Sequence, residues 1–280
     1  MRLVGGLGNQ LFCLAAGRFL AEHYEHSVRF NTWHLTRVGS NHGISLDGRG
    51  FTDDFVSMAP RFGKFNKQFA RAVPALDGTY RSPNPGWDAN LSRLPKGKDV
   101  AGYFQSWRYA SALTNRIDPL HVLPIAGPSP WFSNELQRAA DSRPVVVHVR
   151  RGDYRSLADS FGLIGPDYLQ SALRTVRDAG VENPVWVFSD EPESAKELVE
   201  HLKLKARVVE PPESADVGES LVLMTQGAAH VVSNSTFAWW GAFLAEGTGP
   251  VIAPEPWFRD LSEPQDLIPS SWLRISHSFK

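Results

Sequence analysis

The second half of this chain alternates short apolar runs with stretches of helical periodicity. The apolar runs lie at residues 145–149, 185–188, 208–209, 230–233 and 251–253. This rhythm predicts a parallel sheet covered by helices, because consecutive parallel strands need a long crossover, which is usually a helix. Pro166 and Pro192 stand where two of the helices would begin, a position at which proline is favoured. The fold class that this pattern indicates is α/β.

The first half shows the same rhythm only at its beginning. A short strand at residues 2–4 leads through the turn "GGLGN" into a helix over residues 10–24, and a second strand follows at residues 27–31. Residues 39–97 lack a sustained period, and a further strand signal appears in "DVAGYFQSW". The segment "LPIAGPSPW" at residues 123–131 is the best linker candidate because it is rich in proline. We therefore predict two Rossmann-like domains that face each other across a cleft, an N-terminal domain over 1–126 and a C-terminal domain over 127–280.

Composition excludes several classes of protein. The formal net charge is −1 and the pI is about 6.8, so the basic excess of a typical nucleic-acid-binding protein is absent. Cys13 is the single cysteine, which excludes an intrachain disulfide and a cysteine-based zinc site, and a buried, inert thiol is expected. No apolar run approaches the roughly 18 residues of a membrane span. We expect a soluble, cytoplasmic protein, with peripheral contact to a membrane left open.

The stretch "VVVHVRRGDY" places two arginines at the end of an apolar strand. His148 and Arg150 share one face of the strand, and Arg151 falls at the turn with Gly152. A guanidinium group is always charged and fits phosphate oxygens in a bidentate manner, so the pair predicts a diphosphate ligand. The alternative is an ordinary salt bridge between one arginine and Asp153. The triplet "RGD" also occurs in adhesive proteins, but three residues coincide too often by chance to carry that function.

Two further strand ends carry polar side chains. In "VVSNSTFAWWGAFLA" a strand leads into an apolar helix, and the start of such a helix favours an anion. The same residues also fit ordinary helix caps that need no ligand. In "FSDE" the two polar residues could bind a ribose or a base edge, or cap the next helix. The polar residues concerned are Ser189, Asp190, Ser233, Asn234, Ser235 and Thr236.

Other binding motifs are absent from the sequence. "GGLGNQL" has Leu11 where a dinucleotide fingerprint needs its last glycine, and this argues against a nicotinamide or flavin cofactor. The P-loop, the H-E-x-x-H zinc motif and a D-x-D pair are not found either. We expect neither a cofactor nor a metal ion, so arginine would have to neutralise the diphosphate.

Six segments, taken together and in this order, resemble glycosyltransferase family 11, the α-1,2-fucosyltransferases. They are "GGLGNQLF", "GYFQSWRY", "HVRRGDY", "VFSDEP", "LVLMTQGAAHVVSNSTFAWWGAFL" and "VIAPEPWF". The resemblance implies a GT-B architecture, with GDP-L-fucose held by the C-terminal domain and the acceptor on the N-terminal side. It also implies an inverting, metal-independent transfer of L-fucose to the 2-hydroxyl of a terminal β-galactoside in bacterial surface glycan synthesis.

The resemblance assigns roles to particular residues. Arg150 would contact the β-phosphate, His148 the nucleoside or the adjacent phosphate, and Ser235 and Thr236 the diphosphate. Asn9 and Gln10 match the glycine loop that closes on the donor. Asp153 is the candidate general base, with a purely orienting salt bridge as the alternative.

One position departs from the family pattern. Ser220 stands where the family often has an aspartate that holds the nucleoside, and Glu219 beside it would substitute. The departure keeps a second function class open, a GDP-sugar-binding protein with lost or altered transfer activity. An adhesive protein is the third class, and it predicts no nucleotide affinity.

Overall fold

The computed structural model of the chain describes residues 1–33, 35–36, 43–46, 54–58, 78–114, 125, 127–155, 157–245 and 249–279. The chain divides into two compact units. The first unit contains Met1–Ile117 and Pro264–Leu267, and the second contains Asp118–Glu263 and Ile268–Lys280. The sequence analysis predicts the boundary at residue 126, nine residues after Ile117. It does not predict that Pro264–Leu267 belong to the first unit. Among the described helices, none combines the length and apolar character that a membrane crossing requires.

The first unit is built around one long buried helix and very short strands. Its elements are α1 (Leu7–Tyr24), β1 (Phe30–Asn31), β2 (Phe55–Val56), β3 (Tyr80–Arg81), a 3₁₀ turn (Leu91–Arg93), β4 (Val100–Ala101) and α2 (Trp107–Thr114). Strands β1 and β2 pair in parallel, as do β3 and β4. The predicted first strand is reduced to a bridge between Arg2 and Asn31, and the Arg2 N–H donates to Val100 O at 2.8 Å. Residues 1–3 therefore lie between β1 and β4.

Helix α1 is buried on nearly all sides because its sequence is apolar around the whole circumference. A Cβ at Gly17 would overlap the ring of Phe30, so glycine permits the close approach of α1 to β1. Cys13 is fully buried, its thiol donates to Gly102 O at 3.6 Å, and burial raises its pKa to about 12. The prediction of an inert cysteine is confirmed.

The second unit is a doubly wound α/β fold, as the rhythm of the sequence predicts. Its elements are α3 (Pro130–Ser142), β5 (Val145–Val149), α4 (Ala158–Phe161), α5 (Pro166–Asp178), β6 (Val185–Ser189), α6 (Pro192–His201), β7 (Ala206–Val208), α7 (Val217–Thr225), β8 (Ala229–Val231), α8 (Thr236–Phe243), β9 (Val251–Glu255) and β10 (Leu273–Ser276). The strand order is β10-β9-β8-β5-β6-β7, and all neighbours are parallel. The predicted helix starts at Pro166 and Pro192 are confirmed.

Two strand predictions need correction. The strand predicted at residues 230–233 covers Ala229–Val231, and the Val232 N–H still donates to Ile252 O of β9 at 2.9 Å. The strand predicted at residues 208–209 covers Ala206–Val208. Strand β10 is not predicted from the sequence because it contains no apolar run. Its residues are exposed or only partly buried, as is usual at the edge of a sheet.

The strand order determines where a ligand would bind in this unit. From β5 the chain builds the sheet outward through β6 and β7, then returns to the other side of β5 to form β8. This is the order of a Rossmann sheet, which binds ligands outside the carboxyl ends of its strands where the direction of building reverses. In this chain the reversal lies between β5 and β8.

Candidate active site

Three polar loops meet at the carboxyl ends of neighbouring strands. They follow β5, β6 and β8, which are adjacent in the sheet. The structure thereby brings together most of the predicted site residues, namely His148, Arg150, Arg151, Ser189, Asp190, Ser233, Asn234, Ser235 and Thr236. The loops after β5 and β8 flank the reversal point of the sheet. All nine of these residues belong to the second unit.

Arg150 is held by an acidic partner on the neighbouring strand end. Its Nη1 lies 3.2 Å from Asp190 Oδ2, and its guanidinium carbon lies 5.4 Å from the ring centroid of Tyr154. The side chain keeps 24% of its surface exposed. Arg150 thus pairs with Asp190, and the salt bridge of Arg150 or Arg151 with Asp153 stays a prediction because the Asp153 side chain lies outside the described part of the chain. An oriented, partly exposed cation of this kind suits a phosphate group.

Gly152 explains how Asp190 can reach the loop after β5. A Cβ at residue 152 would overlap Asp190 Oδ2, so only glycine leaves room for that carboxylate. Asp190 Oδ1 also accepts the backbone N–H of Arg151 at 2.9 Å. The glycine of the "RGD" triplet therefore has a structural function, because it admits the carboxylate that orients Arg150.

Arg151 serves the loop itself. Its Nη1 donates to Arg150 O at 3.2 Å and to Ile164 O at 3.1 Å. Burial lowers the pKa of this guanidinium, and the nearby Arg155 lowers it further. These contacts give Arg151 a supporting function, whereas its predicted contact with a ligand stays a prediction.

His148 is buried and uncharged at neutral pH. Burial lowers its pKa to about 3, and the positive charge of Arg150 contributes. Its Nδ1 shares a hydrogen bond of 2.8 Å with Ser233 Oγ, which connects the ends of β5 and β8. A neutral imidazole offers hydrogen bonds but no positive charge, so the positive charge at this strand end comes from arginine.

Helix α8 begins at the site without a side-chain cap. In the same unit, Ser129 caps α3 and Asp216 caps α7 through their side chains, whereas the starts of α4, α5, α6 and α8 have no side-chain cap. The first turn of a helix carries unpaired N–H donors and a partial positive charge. Thr236, the first residue of α8, is partly exposed, while Ser235 is buried.

Asn234 joins the loop after β8 to the loop after β5. Its Nδ2 donates to Phe161 O at 2.9 Å and to Gly162 O at 3.2 Å. Its backbone carbonyl accepts from the Tyr154 hydroxyl at 2.9 Å. Tyr154 was not among the predicted site residues, although it lies in the quoted "HVRRGDY" and an aromatic ring next to arginines could have indicated it.

Two residues that are predicted to contact a ligand accept hydrogen bonds from other residues of the protein. Ser189 Oγ accepts the Glu191 N–H at 3.0 Å, a bond within the turn before α6, and the first turn of α6 has no side-chain cap. Glu219 is only 2% exposed, and its two carboxylate oxygens accept from the N–H and the hydroxyl of Ser129 at 2.7 and 2.9 Å. Because both carboxylate oxygens of Glu219 already accept hydrogen bonds from Ser129, which caps α3, the structure does not favour the predicted contact of Glu219 with a nucleoside.

In the first unit, the glycine loop is held by its own side chains. Gln10 is fully buried, and its Nε2 donates to Gly5 O and Gly43 O at 2.8 Å each, while its Oε1 accepts the Ser45 N–H at 2.9 Å. Asn9 Oδ1 accepts from Gln105 Nε2 at 2.8 Å. The predicted donor contacts of Asn9 and Gln10 stay predictions. Gln105 was not among the predicted site residues, although it lies in the segment "GYFQSWRY".

Asp153 lies in a short 3₁₀ turn, Asp153–Arg155, but its side chain is outside the described part of the chain. Its candidate function as a general base therefore stays a prediction. Trp239 and Trp240 are fully buried in α8, and their rings contact each other with centroids 5.1 Å apart, so they are packing residues.

Residues 131–276 match the model of the family described as glycosyl transferase family 11. The chain is 27% identical to an alpha-1,2-colitosyltransferase of Escherichia coli, over 98% of this chain and 97% of that protein. It is 30% identical to the O-antigen biosynthesis glycosyltransferase WbnK of Escherichia coli, over 46% of this chain and 43% of WbnK. It is 29% identical to galactoside alpha-(1,2)-fucosyltransferase 1 of Leontocebus fuscicollis, over 47% of this chain and 38% of that protein.

Among solved structures, the chain is similar to the NodZ alpha-1,6-fucosyltransferase soaked with GDP-fucose. The TM-score is 0.48 and the identity is 16%, over 87% of this chain and 91% of NodZ.

Proposed function

Because this chain belongs to glycosyl transferase family 11, we propose that it transfers a 6-deoxy sugar from a GDP-sugar to the 2-hydroxyl of a terminal β-galactoside. The sugar is L-fucose or its 3-deoxy relative colitose, and the acceptor is a glycan of the bacterial cell surface. The proposal includes inversion at the anomeric carbon, independence from a divalent metal and a GT-B architecture with the donor held by the second unit.

The arrangement at the reversal point of the sheet is the observation that carries the proposal. Arg150 is oriented by Asp190 at the end of β5, and the start of α8 lies at the end of the neighbouring β8. Both features favour negative charge, and a diphosphate has the size and charge to contact the two together.

The sugar is proposed from the names of the relatives. The relative that matches over nearly the full length is named as a colitosyltransferase, and a relative that matches over about half of this chain is named as an α-(1,2)-fucosyltransferase. The two sugars differ by one hydroxyl group, at carbon 3. A site that hydrogen-bonds this hydroxyl discriminates strongly against the deoxy sugar, because its polar groups would otherwise be left unpaired.

In the proposed reaction, different residues act on the leaving GDP and on the acceptor hydroxyl. The bond between the anomeric carbon and the β-phosphate oxygen breaks, and GDP leaves with the electron pair. Arg150 and the start of α8 stabilise the negative charge that develops on the β-phosphate. The acceptor oxygen forms the new bond on the opposite face of the sugar, and its proton passes to a general base, for which Asp153 is the candidate.

The direct test is a donor panel with purified protein. GDP-fucose, GDP-colitose, GDP-mannose and UDP-galactose are each incubated with a lactose-type acceptor, with and without a chelator. We expect transfer from GDP-fucose or GDP-colitose only, equally fast in the chelator, and an α-1,2 linkage in the product by NMR. No transfer from either GDP-sugar across a broad acceptor panel would contradict the proposal.

The same panel distinguishes the alternative of a binding protein with lost or altered transfer activity. That alternative predicts GDP binding by calorimetry without product. The Arg150→Ala variant is the control for the site, because it should weaken GDP binding under either function.

A further inference from the structure

Residues 161–164 connect the two loops that flank the reversal point of the sheet. Phe161 O and Gly162 O accept from Asn234 Nδ2, in the loop after β8. Ile164 O accepts from Arg151 Nη1, in the loop after β5. A displacement of this short segment would therefore change both loops at once, since each of them bonds to its carbonyl groups.

The segment after β10 packs on residues 161–164. Phe279 forms an isolated antiparallel bridge with Ile164, and its ring covers Gly162. Gly162 has φ +76°, and a Cβ there would overlap the Phe279 ring, so this position needs glycine for both conformation and space. The Phe279 ring also contacts His277, with centroids 4.5 Å apart, and Arg259, whose guanidinium carbon lies 5.7 Å from its centroid.

We propose that Phe279 is a positioning residue for Arg150, acting through residues 161–164 and Arg151. The proposal rests on the proposed function, because it concerns the same phosphate-binding loops. The ring of Phe279 covers Gly162, and its backbone forms the bridge with Ile164. Ile164 O accepts from the Arg151 side chain, and the Arg151 N–H shares Asp190 with Arg150. Phe279 itself is outside the set of residues that would contact the donor.

Ile275 supplies a matched control. Ile275 and Phe279 lie in the same C-terminal segment, and both are partly buried against the same hydrophobic core. Ile275 pairs with Pro254 in the sheet, whereas Phe279 forms the bridge with Ile164 and its ring covers Gly162. Truncation of either side chain should lower stability through lost packing, whereas only truncation of Phe279 should disturb the loops.

The test compares Phe279→Ala, Phe279→Tyr and Ile275→Ala. We expect Phe279→Ala to lower kcat at least about tenfold, since small displacements of catalytic groups reduce rates strongly. Phe279→Tyr keeps the ring and should restore most of the rate, and Ile275→Ala should retain the wild-type kcat at a similar loss of Tm.

Hydrogen exchange gives a readout that does not depend on activity. Phe279→Ala should accelerate amide exchange in residues 150–155, 161–164 and 233–236 relative to Ile275→Ala. Equal kcat and equal exchange in the two alanine variants would overturn the positioning function. If the wild-type protein transfers neither sugar, the proposed function fails, while the exchange comparison still decides whether Phe279 orders the loops.

Discussion

The two units both place a glycine turn and polar side chains before a helix, but they use the polar groups differently. In the second unit Arg150 and Thr236 are partly exposed at the ends of β5 and β8. In the first unit Gln10 is fully buried and makes three hydrogen bonds to the backbone of its surroundings. A polar residue in a motif can therefore hold a loop in place through its own hydrogen bonds without facing a ligand.

The lengths of the strands explain this difference. Strands β5 and β6 have five residues each and lie inside a six-stranded sheet, so the sheet fixes where their loops begin. The described strands of the first unit have two residues each. Strands this short do little to determine the conformation of the loops that follow them. In the first unit, buried side-chain hydrogen bonds such as those of Gln10 hold the loop in place.

The largest effect is expected when the oriented cation of the second unit is removed. Arg150→Ala should lower kcat by about 10²–10³-fold, equivalent to about 2.7–4 kcal/mol, because the charge that develops on the leaving phosphate loses its partner. Arg150→Lys should also be strongly impaired, since lysine lacks the bidentate fork. Steady-state kinetics with the preferred donor measures both variants.

Arg155→Ala is the matched control for Arg150→Ala. Arg155 is a more exposed arginine of the same loop region, paired with Glu191 at 2.9 Å. It should retain nearly wild-type kcat and stability, because exposed ion pairs contribute little. Equal activity of the Arg150 and Arg155 variants would remove Arg150 from the site.

A change at Gln10 tests whether this residue supports the structure of the first unit and does not contact the ligand. Gln10→Leu keeps the volume but removes the three hydrogen bonds of the Gln10 side chain, so the free energy of unfolding should fall by about 2–3 kcal/mol. The affinity for GDP, measured by calorimetry below the new Tm, should stay the same. If GDP binding weakens while Tm is unchanged, Gln10 acts on the ligand and the contrast between the units fails.

Acid should destabilise the second unit through two buried histidines. Burial lowers the pKa of His148 to about 3 and that of His230 to about 4, and each lies below the unfolded value of 6.5. The unfolded chain then binds protons that the native chain excludes. The free energy of unfolding is therefore unaffected by these histidines above about pH 6.5. As the pH falls below 6.5, toward the folded pKa values, it decreases by up to about 1.4 kcal/mol per pH unit for each histidine.

Denaturant titrations between pH 7 and 5 measure this slope. The double variant His148→Gln and His230→Gln should show a shallower dependence than the wild-type protein, because it lacks both titrating groups. An unchanged slope would mean that neither histidine is held neutral by burial.

Much of the second unit could be predicted from the sequence because its signals are local. The run "VVVHV" is buried on both faces and can only be an inner strand, and Pro166 and Pro192 mark helix starts by their own chemistry. Strand order follows less directly, yet a reversal beside β5 is enough to bring the polar strand ends together.

The contacts inside the site could not be predicted, since they join residues far apart in the chain. Nothing in the spacing of the sequence indicates that Asp190 pairs with Arg150, or that Glu219 is occupied by Ser129. Burial and partner choice of this kind depend on how loops pack after the strands are in place. The sequence patterns thus indicate where the site lies better than they indicate what each side chain does there.

The smallest effect concerns the space that Gly152 leaves for Asp190. Gly152→Ala should displace the Asp190 carboxylate and lower kcat by roughly five- to tenfold with little change in Tm, because the sheet still fixes the end of β5. Asp190→Ala should produce a similar loss, because Arg150 loses its ion pair with Asp190. The double variant should be no slower than either single variant, since both changes remove the same contact. Fully additive losses would show that Gly152 and Asp190 act independently, and the orientation of Arg150 by a neighbouring strand end would then need another explanation.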